Sequence, residues 1–312
     1  MTWLLWRQHR SQALVTGVAV ALFALAVLLT GVHMANVLDA ARNCGAATNP
    51  CGFGGNLFSG YGAIIDTVHL TIVVPLLLGA FFGASLIARE TEHATNVLVW
   101  TQTVTRRRWL FTKVATALGA TVVISGVVSA LVTWWSGTPN SFLGNRFEGA
   151  EFSTQNIVPV AFALFAVALG LAAGSLLRRT LPALATTVGV YGVVQVLVSV
   201  YVRPHFAGVV TKTYALAANA NPPSGSWTVS QNLVDASGHS SNGPIAVPNA
   251  CRAVVDRQGP EACLGKLGYH TVIRFHPASQ YWRFQWAETG LYLVLAAALV
   301  AFAMVHTLRH DA

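Results

Sequence analysis

Long apolar runs alternate with short polar segments along this chain, and the runs show neither the strict alternation of a half-buried strand nor the single apolar stripe of a soluble helix. Crossing a hydrocarbon core of about 30 Å takes about 20 residues of helix. Six runs qualify, approximately residues 13–34, 64–87, 114–135, 157–177, 183–202 and 287–308. None carries Lys or Arg in its interior. Pro75, Pro159 and Pro182, in or beside these runs, are tolerable in lipid where neighbouring groups re-satisfy the freed carbonyls. A transmembrane barrel would instead show segments of about ten residues with alternating polarity. The pattern therefore predicts an all-α membrane protein with six transmembrane helices.

Composition agrees and narrows the class. Of 312 residues, 54% are hydrophobic and only 10% charged, with a mean hydropathy of +0.55, where soluble domains carry roughly 25% charged residues. The same figures exclude a disordered chain, a coiled coil and a collagen. A net charge of +8 would suggest a nucleic-acid partner in a soluble protein; in a membrane protein the placement of the charges matters more, and no nucleic acid is expected. Ten cations flank one set of helix ends: Arg7, Arg10, Arg89, Arg106, Arg107, Arg108, Lys113, Arg178, Arg179 and Arg309. The two short loops on the other side hold only Arg42 and Arg146. Both termini are thus expected in the cytoplasm of a multi-pass plasma-membrane protein. The first run is too long for a signal peptide and lacks a small-residue cleavage site, so it is expected to stay as an anchor.

This topology divides the chain into a transmembrane part over 1–202, an external part over 203–286, and a sixth span with a cytoplasmic tail over 287–312. The external part is rich in Pro, Gly, Ser and Asn and lacks helical periodicity between Asn219 and Asn249, which predicts a small, loop-rich domain. Tyr281, Trp282, Phe284 and Trp286 interleave with Arg283 just before the last span and read as an interfacial aromatic belt. Cys44 with Cys51, and Cys251 with Cys263, form two close pairs outside, where oxidation is expected. Four cysteines allow three connectivities, and only spacing favours the local one. A zinc site using His239, His270 and His276 is the rival, without C-x-x-C or H-x-x-x-H spacing to support it.

Polar residues inside the spans are candidates for a substrate pathway. Asp66 and His69 share a helix face near the outer end of span two. Gln195 lies in span five, with helix packing as its ordinary role. Glu288 reads as an interfacial carboxylate near Arg283, and His306 as interfacial. Gly79 with Gly83, and Gly170 with Gly174, are G-x-x-x-G pairs that allow close helix approach.

The segment from Gly83 to Val114, GASLIARETEHATNVLVWTQTVTRRRWLFTKV, keeps order outside the lipid. Glu90 and Glu92 precede apolar Val97, Trp100 and Val104 at near-helical spacing, and Arg106–Arg108 close the run, as in a short helix lying on the cytoplasmic surface. The wording A-R-E-x-E-x-x-T, then V-W-T-Q-x-V-T-R-x-R-W and a lysine, resembles the permease subunits of type-2 ATP-binding cassette exporters, particularly their actinobacterial branch. The resemblance implies a coupling helix at about 90–108 resting on an ATPase subunit through Glu90, Glu92, Thr95, Trp100, Arg106, Arg107 and Arg108. Ala94 departs from the glycine common there. By the same resemblance, MTWLLWRQHR at the N-terminus is similar to an interfacial elbow helix, HPASQYWRFQWAE at 276–288 to the branch's last external segment, and the permease pairs with a second copy.

No G-x-x-x-x-G-K-[ST] loop is present: Gly265-Lys266 is followed by Leu267, with Pro260 where the first glycine belongs. No H-E-x-x-H or G-x-S-x-G is found either. The chain is therefore expected to be no enzyme and to hold no cofactor, with ATP and Mg bound by the separate cytoplasmic ATPase. The competing function is a membrane sensor or immunity protein whose external domain binds a peptide or antibiotic and signals inward without transport.

Overall fold

The computed structural model describes residues 2–44, 68, 70–92, 105–143, 146–147, 149–216, 222–241, 251 and 263–310. Among the described residues, six helices are long and apolar enough to cross a membrane: Leu14–Asn36, Leu70–Arg89, Arg107–Gly137, Val158–Leu177, Thr180–His205 and Ala278–Arg309. The chain divides into two compact units, one of Met1–Leu143, Gly149–Ser199 and Gln285–Ala312, the other of Gly144–Glu148 and Val200–Phe284.

In the helical unit, α1 (Thr2–Cys44) is unbroken, so the basic N-terminal stretch and the first span form one helix and no separate elbow element is distinguished. Span two changes character along its length: a 3₁₀ turn at Leu70–Val73, α2 (Val74–Leu78), a π-helical stretch at Gly79–Ala84, and α3 (Ser85–Glu92). Arg106–Arg108, assigned to the far end of a coupling helix, instead form the first turn of α4 (Arg106–Leu143). After the short α5 (Gly149–Thr154) come α6 (Val158–Leu177) and α7 (Thr180–Leu197), joined by Arg178 and Arg179. Arg178 takes the left-handed conformation at φ 53° to end α6, a geometry usually left to glycine.

α6 is the central helix: 78% of its span is buried, against 11–39% for the other five. Its glycines explain how it gets there. A Cβ on Gly83 would sit 2.5 Å from the Val167 carbonyl oxygen, one on Gly79 would sit 2.6 Å from the Ala166 backbone, and one on Gly174 2.8 Å from the Ala84 oxygen. The two G-x-x-x-G pairs therefore meet each other, bringing span two and span four into backbone contact. α1 leans on α4, where Trp135 Nε1 donates to Thr30 Oγ1 at 3.1 Å beside the buried Val27, Met34 and Val132.

The second unit, expected as a small loop-rich domain, carries regular strands among its described residues. It contains β1 (Val210–Ala215), β2 (Trp227–Val234), β3 (Ser240–Ser241) and β4 (His270–His276), an antiparallel sheet in the order β1-β4-β2-β3. β4 reads HTVIRFH, with Thr271, Ile273 and Phe275 buried and Arg274 exposed on the other face. That alternation is a strand signal. Residues 227–234 lack charge and apolar bulk at every second position, so the same signal is weak in β2. Phe147, Trp227, His276, Tyr281 and Phe284 build the core, with ring centroids 4.8–6.1 Å apart in the recorded pairs. Cys251 and Cys263 are disulfide-bonded, with Cα atoms 5.7 Å apart.

α8 (Tyr281–His310) starts six residues before the expected edge of span six. Trp282 and Trp286 are exposed as a belt requires, but Tyr281 and Phe284 are fully buried. The aromatic segment is thus a helix turn with two faces, only one of which suits an interface.

Candidate functional site

Extending α8 back to Tyr281 places Gln285, Glu288 and Tyr292 on one face, at spacings of three and four. All three are 0% exposed. This corrects the reading of Glu288 as an interfacial carboxylate: the longer helix turns it into the bundle. Gln285 is a structural bracket. Its Oε1 accepts from the Val158 backbone N–H at 3.2 Å and its Nε2 donates to the Phe152 carbonyl at 3.2 Å, which satisfies groups freed at the end of α5 and the start of α6. Ile157, the residue before α6, offers no side-chain cap of its own.

Tyr292 packs edge-on to Phe162 and Phe165 of α6, at centroid distances of 4.7 and 5.2 Å, and its hydroxyl donates to Gln195 Oε1 of α7 at 2.7 Å. Tyr191, one turn before Gln195, lies 6.1 Å from Phe165 and within electrostatic reach of Glu288. Its hydroxyl has no hydrogen-bond partner among the described residues. A carboxyl group, two phenols and an amide therefore gather between the fourth, fifth and sixth spans. Burying such groups in a membrane is costly, and ionisable groups there commonly mark a pathway or relay. The arrangement can exchange hydrogen bonds with a polar group of an otherwise apolar molecule. The sequence reading found Gln195 but missed its partners; the signal was the Q-x-x-E-x-x-x-Y spacing, hidden by starting the helix at 287.

A second polar contact lies at one end of the bundle. Glu92, the last residue of α3, accepts at Oε2 from the Thr180 backbone N–H at 3.0 Å and from the Thr180 hydroxyl at 2.7 Å. Thr180 opens α7, and Arg179 before it provides no side-chain cap. Glu92 thus caps the fifth span from the end of the second, a carboxylate at the positive end of a helix dipole. Arg107 and Arg108 are exposed at the start of α4. Lys113 is buried, its ammonium 4.6 Å from the Trp109 ring centroid. The backbones of Cys44, Glu90 and Arg106 belong to α1, α3 and α4, while their side chains, together with the residues Cys51, Asp66, His69, Thr95 and Trp100, lie outside the described residues, so the Cys44–Cys51 pairing does too.

The histidines weighed for zinc are dispersed in role. His276 packs on Trp227 and Phe284, and its Nδ1 lies 3.0 Å from Gln280 Oε1. His270 Nδ1 lies 3.3 Å from the Gly268 carbonyl oxygen, and His239 sits in the turn after β2. There Asp235 Oδ1 accepts from the Ser237 hydroxyl and from the backbone N–H groups of Ser237 and His239. These bonds, the Ser237 hydroxyl first, hold the Asp235 carboxyl below the usual carboxylate range. Among the described residues, no three His, Cys, Asp or Glu converge on a metal position.

Among the described residues, six helices long and apolar enough to cross a membrane fit a multi-pass membrane protein. The chain belongs to the ABC-2 membrane transporter-related family, whose model matches residues 17–203. Membership makes it a membrane transporter component and implies association with an ATPase subunit. No curated protein and no solved structure matches the chain.

Proposed function

We propose that this chain is the permease subunit of an ATP-driven exporter, moving an amphipathic or lipophilic compound outward by alternating access. The observation that carries the reading is the family match over spans one to five, completed by an intramembrane polar cluster to which span six contributes Glu288 and Tyr292. Hydrolysis is assigned to a separate cytoplasmic subunit holding ATP and Mg, and the coupling contact to the region 90–108, from the last turn of α3 to the first turn of α4. Two permease copies form the working unit. The charge distribution supports cytoplasmic termini and an external sheet domain in the plasma membrane.

The test is coexpression with the partner ATPase, purification of the complex, and ATP-dependent uptake of a fluorescent amphiphile into inverted vesicles. Uptake that requires both subunits and ATP is expected. A complex that binds the amphiphile yet moves none would refute export and leave the sensor function. Orientation is checked separately by labelling Ser224→Cys and Arg179→Cys variants, whose positions are exposed; impermeant reagent should reach only the first from outside the cell.

A further inference from the structure

The sheet-bearing unit bears a half-open cavity of about 510 Å³ that the transport reading does not use. Its walls come from the end of the fifth spanning helix and the residues that follow it, from the sheet, and from the first turn of α8. Phe206, Val209 and Val229 provide apolar surface, while Arg274 and Arg283 provide the charge. Among the described residues, no acidic side chain lines it. Val229 stands where β2 slips register against β4, between Thr228 and Ser230, and such a bulge re-aims a side chain. Arg274 projects from the exposed face of β4, and Arg283 is exposed on α8.

Two guanidinium groups beside an apolar wall match one ligand chemistry well: a phosphate attached to hydrocarbon. Guanidinium forks bind phosphate oxygens in pairs of hydrogen bonds and tolerate partial dehydration better than ammonium groups do. The chain positions are those of a membrane boundary, since the cavity residues begin at Pro204, at the end of the fifth spanning helix, and include Arg283, near the start of the sixth. A soluble phosphate would have no use for Phe206, Val209 and Val229. We propose that this cavity binds the headgroup of an anionic phospholipid, with Arg274 and Arg283 on the phosphate and the apolar wall against the adjoining glycerol and acyl carbons. The site depends on the membrane class of the protein and not on export.

The full chain, purified in a neutral detergent, is mixed with equimolar phosphatidylglycerol and phosphatidylcholine, and the retained lipid is measured by native mass spectrometry. Wild type should retain phosphatidylglycerol over phosphatidylcholine on the order of tenfold, as expected for two basic residues near a lipid surface. Arg274→Gln/Arg283→Gln should lose that preference. Lys212→Gln, an exposed cation on neighbouring β1 that does not line the cavity, should keep it. Arg274→Lys/Arg283→Lys should keep the charge preference but bind more weakly, which separates recognition from misfolding. Equal retention of the two lipids by wild type overturns the proposal, as does undiminished preference in the double glutamine variant. Displacement of the lipid by millimolar inorganic phosphate alone would also overturn it, because the site would then recognise the ion without the lipid.

Discussion

Removing the Glu92 carboxylate tests whether the end of span two is fastened to the start of span five. In Glu92→Ala the Thr180 N–H and hydroxyl lose the acceptor at 3.0 and 2.7 Å. Loss of an N-terminal helix cap costs about 0.5–2 kcal/mol, and the exposure of Glu92 places the loss near 1 kcal/mol. For a chain of this size that lowers the thermal midpoint by about 2–4 °C, measurable in detergent by intrinsic tryptophan fluorescence. Thr180→Val removes the hydroxyl but leaves the backbone donor, so it should cost less. The double variant should cost little more than Glu92→Ala alone, because both changes break one contact. In complex with the ATPase, Glu92→Ala should keep the subunits together yet reduce substrate-stimulated hydrolysis, since the contact it breaks lies within the permease. Additive losses in the double variant, or a wild-type midpoint for Glu92→Ala, would refute the fastening. Lost copurification at a wild-type midpoint would return Glu92 to the docking surface that the sequence suggested.

Four further outcomes rest on the geometry. Gly83→Val should sharply reduce folded yield in size-exclusion profiles, because its Cβ would meet the Val167 oxygen at 2.5 Å and overpacking costs about 1–3 kcal/mol or more. Gly17→Ala, with nothing within 4 Å, should leave those profiles unchanged or improve them. Tyr292→Phe should lower the thermal midpoint by the equivalent of about 0.6 kcal/mol, the average for hydrogen bonds between membrane helices, and by no more than about 1.7 kcal/mol, through loss of the bond to Gln195. Cys251→Ser should make the sheet unit more sensitive to protease by removing a cross-link across 12 residues, where a loop of about 15 residues is worth about 3 kcal/mol in the entropy model.

The six spans were legible because lipid imposes a length and an absence of charge that any sequence must show. Their edges were less so. Ser85–Glu92 continues as helix past the last apolar residue, and α8 begins at Tyr281, because a helix end is set by capping and by packing as much as by hydropathy. The sheet was hidden for another reason. β2 reads WTVSQNLV, a strand whose main partner comes from 270–276, and pairing across that distance leaves no local mark. Glu288 looked interfacial only from the wrong helix start. The G-x-x-x-G pairs were recognised as packing sites, but that each is the other's partner is a fact of tertiary structure, which spacing within one helix cannot carry.

These contacts divide the helical unit by how its parts are joined. Spans two and four meet through glycine, backbone against backbone, a junction that offers no alternative register without steric overlap. Span five is held differently. Only 22% of its span is buried, and two of its fixed points are hydrogen bonds made by polar side chains, Thr180 with Glu92 and Gln195 with Tyr292. Hydrogen bonds of that kind can be broken and replaced by bonds to water, to substrate or to another side chain at small net cost, whereas close-packed backbone cannot. Alternating access needs one rigid junction to move as a body and another to open. The glycine-joined pair fits the first requirement and span five the second. Because Glu92 also ends the helix that leads into the proposed coupling region, a displacement there would reach span five first, before any rearrangement of the central helix.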